Sequence, residues 1–285
     1  MTFTTRFAPS PTGRLHIGHA YSALIAHDAA MAVGGRFLLR IEDIDRARCR
    51  EAFEAQIYAD LAWLKIDWEK PVRRQSEHFD DYEAALERLK ERGLVYRCFK
   101  TRREIADDIA RAPHLAPAGP EGPQYVGAPL PRTEEERRLA DGEAFAWRLS
   151  MSAARDYLGA GVKALEFTED SHRAEHAIRA TPEIFGDVVI ARKDNGVSYH
   201  LAATLDDALQ GVTHVIRGED LRAAAHMHRL LQALLDLPTP VYRHHRLITD
   251  PAGKRLAKRD HAATLQAWRE RGASPAALRA HLALE

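Results

Sequence analysis

The first segment whose residues could take part in chemistry contains a pair of histidines, in the sequence His16-Ile17-Gly18-His19. A breaker cluster at residues 9–13 separates a strand candidate at residues 3–8 from a stretch of helical composition that begins at Gly18. Because the N–H groups at the start of a helix attract anions, imidazoles placed there suit a bound polyphosphate. A histidine pair at a helix start is more often a helix cap or solvated, so these four positions alone leave both interpretations open.

Two other segments each place a charged residue at the carboxyl end of a predicted strand. Glu42 follows the strand at residues 36–41, and Arg217 ends the strand at residues 213–217. Ligands of open α/β sheets bind at the carboxyl ends of the strands. A glutamate there can receive an ammonium group, and an arginine can hold a carboxylate through two parallel hydrogen bonds. A helix-capping acid and an ordinary surface arginine are the alternatives.

The fourth segment is a basic loop, Gly253-Lys254-Arg255-Leu256-Ala257-Lys258-Arg259, which follows the last predicted strand. Pro251 and Gly253 allow the backbone to move, and the lysines and arginines suit a phosphate chain. On its own such a stretch also fits a solvated charged loop.

The elements that must position these segments alternate between strand and helix. Apolar residues recur at helical spacing at positions 53, 57, 61 and 64 and again at 79, 82, 86 and 89. After a proline-rich middle region we predict a strand at 184–192, a hairpin turn at Asp194-Asn195-Gly196, a strand at 197–201, a helix at about 220–235, a strand at 241–249, and two helices at 262–271 and 274–284. The pattern predicts an α/β fold with a parallel sheet covered by helices.

Composition excludes several classes of protein. The 285 residues are 45% hydrophobic and 29% charged, which is enough apolar chain for a core and excludes a disordered or fibrous protein. The 41 basic and 41 acidic residues balance, which argues against binding nucleic acid by bulk charge. Two cysteines make no disulfide framework, and the N-terminal residues lack the pattern of a secretory signal. We expect a cytoplasmic monomer without membrane association.

The extended string at residues 6–20, R-F-A-P-S-P-T-G-R-L-H-I-G-H-A, resembles the glutamyl branch of the class I aminoacyl-tRNA synthetases, and the resemblance covers essentially the whole chain. It implies that L-glutamate reacts with ATP, which carries Mg²⁺ and binds at His16, Gly18 and His19. The loop at 253–259 is similar to the K-M-S-K-S loop of that family, with Lys258 and Arg255 matching the positions near the phosphates. The residues with implied catalytic roles are therefore His16, His19 and Lys258.

The same resemblance implies a glutamate site. Glu42 matches the residue that faces the α-amino group, and Arg6, Tyr199 and Arg217 match those that hold the γ-carboxylate. Ala8 and Ser10 complete the implied site. Relatives that use glutamine lack an arginine at the position of Arg217, so the charge favours glutamate.

The resemblance also implies a division of the chain. We expect a Rossmann-like catalytic domain in two halves, residues 1–95 and 176–245, with an inserted connective subdomain at 96–175 and the basic loop and C-terminal helices at 246–285. The family often carries a zinc site in the insertion. Here Cys98 and Tyr125 remain, but Lys100 and Pro129 occupy the other two positions, so we predict no structural zinc.

The expected acceptor is inferred from the short C-terminal region, which has no anticodon-binding domain. In this the chain resembles the branch of the family that activates glutamate without tRNA and attaches it to the queuosine base in the anticodon arm of tRNA(Asp). Residues 217–259 contain nine Lys or Arg against four Asp or Glu, together with His226, His228, His244 and His245, and are the candidate phosphate contact. The alternatives are a truncated glutamyl-tRNA synthetase that charges a 3′ end, an H-x-G-H nucleotidylyltransferase and a non-catalytic tRNA-binding module.

Overall fold

The computed structural model describes residues 2–111, 117–171, 174–192, 196–248 and 264–284. The strands are β1 (Thr4–Phe7), β2 (Arg36–Ile41), β3 (Glu69–Arg74), β4 (Val95–Cys98), β5 (Ala118–Gly119), β6 (Gly122–Pro123), β7 (Ala146–Leu149), β8 (Glu166–Asp170), β9 (Glu175–Arg179), β10 (Val189–Arg192), β11 (His214–Gly218) and β12 (Val241–His245). The helices are α1 (Ile17–Ala32), α2 (Glu51–Trp63), α3 (Phe79–Glu91), α4 (Arg102–Arg111), α5 (Arg132–Ala140), α6 (Met151–Leu158), α7 (Tyr199–Leu209), α8 (Ala224–Leu234), α9 (Leu265–Glu270) and α10 (Pro275–His281).

Parallel strands from both ends of the chain form two neighbouring sheets. β1 pairs with β2 and β2 with β3 in one sheet, and β11 pairs with β12 in the other, all in parallel. The Thr213 N–H, next to β11, donates to the Thr4 carbonyl of β1 at 2.9 Å and so links the two sheets. The α/β fold class is thus confirmed, and the carboxyl ends of β1, β2 and β11 meet at one edge.

Alternation along β2 shows how its sheet is covered on both faces. Phe37, Leu39 and Ile41 belong to one apolar core, which also contains Leu24 of α1 and Ile57 of α2. Leu38 points to the opposite core, formed largely by α3, α7 and α8. Residues two apart in a strand share a face, so Arg40 lies on the same face as Leu38, where it is fully buried. A buried arginine on an apolar face requires partners, and these form part of the site described below.

One predicted element is wrong. The sequence pattern predicts a strand at 197–201 after a hairpin turn, but the chain enters α7 at Tyr199. Ser198 caps this helix by accepting a hydrogen bond from the Leu201 N–H, and this tertiary and capping context overrides the strand propensity of the segment. Asp194 and Asn195 lie outside the described residues.

The strand pairings cross the boundaries expected from the resemblance. β8, within the region 96–175, pairs in parallel with β12 through Tyr242 and Glu169. β10, from beyond that region, pairs with β7 inside it. The four-part division remains a prediction, and any domain boundary must allow for these two pairings. Within the described ranges, every helix is too short or too polar to cross a membrane.

Candidate active site

A cavity of about 280 Å³ opens where the ends of β1, β2 and β11 meet the start of α1. Its walls include every sequence-predicted binding residue that the structure describes: Arg6, Ala8, Ser10, His16, Gly18, His19, Glu42, Tyr199 and Arg217. Residues separated by more than 200 positions are therefore brought to one place. The structure shows this proximity, while the individual roles remain predictions.

The two histidines cap α1 and line the cavity at the same time. His16 Nδ1 accepts a hydrogen bond from the Gly18 N–H at 3.1 Å, and His19 Nδ1 accepts one from the His16 N–H at 3.1 Å. Their ring centroids lie 3.8 Å apart. Because both Nδ1 atoms accept, each neutral ring carries its proton on Nε2, which is the donor that a phosphate oxygen needs. Capping and phosphate binding are thus compatible here.

Arg217 is a buried cation that faces neutral partners. Its residue is 5% exposed, its Nε donates to His244 Nε2 at 3.3 Å, and its Nη1 lies 3.4 Å from His228 Nδ1. Burial lowers the pKa values of both histidines, and the charge of Arg217 lowers them further. Arg217 Nη2 has no hydrogen-bond partner among the described residues. A buried guanidinium in this state favours an anionic ligand.

Glu42 is held at the other side of the cavity by a buried ion cluster. Arg40 Nη2 donates to Glu42 Oε1 at 3.1 Å, and Arg40 Nη1 donates to Asp207 Oδ1 at 2.7 Å. Arg6 Nε donates to the same oxygen of Asp207 at 2.9 Å. Burial raises the pKa of Glu42, and the positive charges of Arg40 and Arg6 oppose that rise. An ammonium group bound at Glu42 would stabilise its carboxylate further.

The same cluster fixes the charge of its central acid. Burial alone would raise the pKa of Asp207, but Arg6 and Arg40 reverse that effect and hold it below its usual value. Asp207 lies on α7, the helix that also supplies Tyr199 to the cavity wall. The helix therefore places the carboxylate of Asp207 between two arginines and the phenol of Tyr199 in the cavity wall. Burial raises the pKa of Tyr199, which keeps the phenol protonated and able to donate.

Sequence reasoning assigned no role to Asp207, and it placed His244 only in the candidate phosphate-contact stretch, not beside Arg217. Asp206 and Asp207 are consecutive acids in an otherwise apolar stretch, and both are buried. Charged residues at core positions of a helix are rarely buried unless they are paired, and this signal points to a polar site. His244 carries no comparable signal, because its neighbours along the chain do not reveal its contact with Arg217.

The basic loop that contains Arg255 and Lys258 lies outside the described residues. The described residues on either side of segment 249–263 both lie close to the site. Ile248 lines the cavity, and Thr264 forms a backbone bridge with His16.

The expected basic surface at 217–259 needs correction in its described part. Arg217 is buried, and Arg243 forms an ion pair with Asp170. Burial lowers the pKa values of His226, His228, His244 and His245, so these rings add little positive charge near neutral pH. Most of the remaining positive charge of this stretch belongs to residues beyond Ile248.

The positions of the degenerate zinc site do not fit a zinc ion. Cys98 Sγ and the Tyr125 hydroxyl lie 3.7 Å apart, so two positions of the set do meet. Lys100 instead forms an ion pair with Asp108 at 2.7 Å, and a proline at position 129 has no ligand atom. A structural zinc needs four ligands, and this set offers two.

A second cavity of about 460 Å³ adjoins the first. The two cavities share Ser10, Glu42 and Tyr199 in their walls. His200 also lines the second cavity, and its Nε2 lies 2.9 Å from Glu121 Oε1. A second reactant in this space would meet the first at the shared wall.

Comparison with known proteins identifies the family to which this chain belongs. Residues 2–285 match the family model described as tRNA synthetases class I (E and Q), catalytic domain. The chain belongs to this family. The resemblance of the chain to the class I synthetases is thereby confirmed, and the chain is a ligase of the synthetase type.

Similar proteins fall into two groups within the class I family. A Glutamyl-Q tRNA(Asp) synthetase from Rhodobacter capsulatus is 53% identical over 280 residues, covering 96% of this chain and 98% of that protein. A Glutamate--tRNA ligase from Synechococcus sp. is 37% identical, covering 100% of this chain but 57% of that protein. The crystal structure of a glutamate tRNA ligase from Elizabethkingia meningosepticum, in complex with its amino acid, has a TM-score of 0.72 and 29% identity over 91% of this chain. This chain spans about half of that ligase, at 52% of its length.

Proposed function

We propose that the protein activates L-glutamate with ATP and transfers the glutamyl group to the queuosine base in the anticodon of tRNA(Asp). The observation that carries the first half is Arg217, a buried cation without a described carboxylate partner in a cavity that also contains Glu42. One positive and one negative side chain suit the γ-carboxylate and the α-ammonium of glutamate. The second half is supported by the 53% identical glutamyl-Q relative, which matches over nearly its full length.

In the proposed reaction the α-carboxylate of glutamate attacks the α-phosphorus of ATP, and pyrophosphate leaves. His16 and His19 would donate from Nε2 to phosphate oxygens at the start of α1, and Mg²⁺ would arrive on the phosphates. Lys258 and Arg255 would neutralise charge on the leaving group, which agrees with the position of Ile248 and Thr264 on either side of their loop. Positioning and charge stabilisation supply this chemistry, and no nucleophilic side chain is needed.

Transfer would then use the second cavity, where a hydroxyl of the acceptor attacks the carbonyl carbon of the mixed anhydride, an ester forms, the acyl–phosphate bond breaks and AMP leaves. The acceptor nucleotide would enter from the side of His200 and reach the adenylate across Ser10, Glu42 and Tyr199, which both cavities share. The tRNA(Asp) anticodon arm is the proposed macromolecular partner.

The first test is glutamate-dependent exchange of labelled pyrophosphate into ATP without tRNA. Exchange with glutamate but not glutamine supports activation. A nucleotidylyltransferase or a non-catalytic tRNA-binding module would show no dependence on glutamate.

The second test uses labelled glutamate, tRNA(Glu) with and without its 3′-terminal adenosine as a comparison, and four tRNA(Asp) substrates. These four are tRNA(Asp) with and without queuosine and the same two molecules after enzymatic removal of the 3′-terminal adenosine. Label that requires queuosine and survives loss of the 3′ end supports base modification. Label that appears only on tRNA(Glu) with an intact 3′ end would instead establish a truncated glutamyl-tRNA synthetase.

A further inference from the structure

Arg217 is oriented by a chain of buried side chains that ends on β8. Its Nε donates to His244 Nε2 at 3.3 Å, and its Cζ lies 5.3 Å from the ring centroid of Tyr242. Neither neighbour carries a negative charge. The guanidinium is therefore fixed in direction without being neutralised.

The protonation state of His244 follows from its two contacts. Because Nε2 accepts from Arg217, the proton of the neutral ring must be on Nδ1. Nδ1 then donates to Glu169 Oε1, which lies 2.7 Å away. The side chains of His244 and Glu169 are 2% and 9% exposed, so this arrangement is shielded from water. The other oxygen of Glu169 accepts from Arg222 Nη2 at 2.6 Å.

We propose that Glu169 and His244 are positioning residues for the side-chain carboxylate of glutamate, acting through Arg217. The inference rests on the proposed glutamate activation and adds two residues that do not line the cavity described for substrate. Glu169 holds His244 in the tautomer whose Nε2 accepts, and His244 holds the Nε edge of Arg217. The Nη2 atom is then left for the substrate.

Charge explains why an imidazole stands between the two ions. A carboxylate in direct contact with Arg217 would form a salt bridge and compete with the substrate for the same N–H groups. A neutral imidazole accepts one hydrogen bond and leaves the positive charge uncompensated. Without Glu169 the ring gains freedom to move its proton to Nε2, where two N–H groups would face each other across the 3.3 Å contact.

The test measures KM and kcat separately in glutamate-dependent pyrophosphate exchange. Glu169→Gln keeps the shape and removes the charge, and we expect the KM for glutamate to rise about five- to tenfold, the effect of weakening one charge-assisted hydrogen bond. We expect kcat and the KM for ATP to stay within about twofold, since the change acts on glutamate binding alone.

A matched control comes from the next residue of the same strand. Asp170 binds Arg243 across β8 and β12, as Glu169 binds His244, but Arg243 has no described contact with Arg217. Asp170→Asn should leave the KM for glutamate unchanged. An equal rise in this control would show that strand pairing, rather than Arg217 positioning, controls glutamate binding, and would overturn the inference.

A second pair of variants guards against a folding defect in Glu169→Gln. His244→Gln retains a side-chain oxygen that can accept from Arg217, whereas His244→Phe retains none. We expect the KM for glutamate to rise more in His244→Phe than in His244→Gln, and equal values would overturn the inference.

If the unaltered protein shows no glutamate-dependent exchange, the proposed function itself fails. If it exchanges normally and Glu169→Gln has an unchanged KM, only the positioning role fails.

Discussion

At the scale of single residues, the proposed choice of substrate rests on a charge that the described residues leave unbalanced. Arg6 and Arg40 share the carboxylate of Asp207, but among the described residues Arg217 contacts only neutral groups, namely two histidines and the ring of Tyr242. A buried charge without a counter-ion costs free energy in the ligand-free protein. Binding of an anionic side chain would recover that cost, so the charge contributes to affinity and to selection against neutral amino acids.

Arg217→Gln should therefore raise the KM for glutamate by about 10²-fold, since it removes hydrogen bonds to a charged group that are worth about 1.5–3 kcal/mol each. It need not create glutamine activity, because selection for the amide needs matching partners in the rest of the cavity. The measurement is pyrophosphate exchange at varied glutamate and glutamine. Arg36→Gln is the control, as Arg36 forms an exposed pair with Glu69 away from the site. A KM within a few-fold of the unaltered value would remove Arg217 from the substrate contacts.

Much of the cavity lining was predictable from sequence because its residues lie at the carboxyl ends of strands or at the start of a helix. Glu42 and Arg217 occupy such positions, and both line the cavity as expected. Asp207 and Glu169 were not predicted, because their importance depends on contacts with residues that are distant in sequence. Glu169 bonds to a histidine 75 positions away, and no local pattern encodes that separation.

At the scale of elements, the start of α1 has little spare room. A Cβ added at Gly18 would lie 3.0 Å from His16 Cε1, closer than an ordinary contact. The glycine therefore allows the His16 ring to stay folded over the first turn, where its Nδ1 accepts from the Gly18 N–H.

Gly18→Ala should displace the His16 ring and raise the KM for ATP about fivefold, equivalent to about 1 kcal/mol for one weakened hydrogen bond. Gly161→Ala is a suitable comparison, because its added Cβ would meet nothing within 4 Å. Nucleotide dependence of pyrophosphate exchange measures both variants. An unchanged KM for ATP in Gly18→Ala would contradict the proposed phosphate contact of His16.

The helix α7 connects the amino acid cavity to the core. Asp207→Asn removes the charge shared by Arg6 and Arg40 and should lower the free energy of unfolding by about 3–5 kcal/mol, the usual effect of breaking a buried ion pair. Urea denaturation followed by circular dichroism measures this change. Asp141→Asn, which alters an exposed pair with Arg137, should change the stability little. A loss in Asp207→Asn as small as in that control would show that the cluster is not a stabilising element.

The incorrect strand prediction at 197–201 has a physical explanation at the same scale. An Asn-Gly pair between two apolar runs is typical of a hairpin, and Val197 and Tyr199 favour strands. Ser198 supplied the opposite signal, since a serine before an apolar run is a common helix start. The helix prevails because residues 200–207 are buried continuously against neighbouring elements, which is more stabilising than the local preference.

At the scale of the whole molecule, buried histidines link stability to pH. Burial lowers the pKa values of His214, His226, His228, His244 and His245 below 6.5. In the unfolded chain these groups take up protons near pH 6.5, whereas in the folded protein they resist protonation. Stability contributed by the neutral rings is therefore present above pH 6.5 and is lost as the pH falls below it.

We expect the urea concentration at the unfolding midpoint to decrease as the pH is lowered from 7.5 to 5.5. His228 alone should account for a loss of unfolding free energy on the order of 1 kcal/mol at one pH unit below its unfolded pKa. His228→Gln should make this pH dependence shallower, whereas a substitution at the exposed His176 should not. Parallel pH profiles for His228→Gln and the unaltered protein would show that His228 does not resist protonation.

The hydrogen bond between Thr4 and Thr213 bears on the order in which the protein is made. These residues lie 209 positions apart, and they join the first strand of one sheet to the strand of the other that carries Arg217. During synthesis β1 can pair with β2 soon after both leave the ribosome, but its other edge must wait until most of the chain has been translated. Closing so long a loop costs conformational entropy, and contacts with β11 compensate for this cost only after β11 has been synthesised. Contacts between residues this far apart in sequence therefore form late. The cavity is consequently among the last parts to form, and under the proposed function a nascent chain that has not reached Arg217 is unable to retain glutamate.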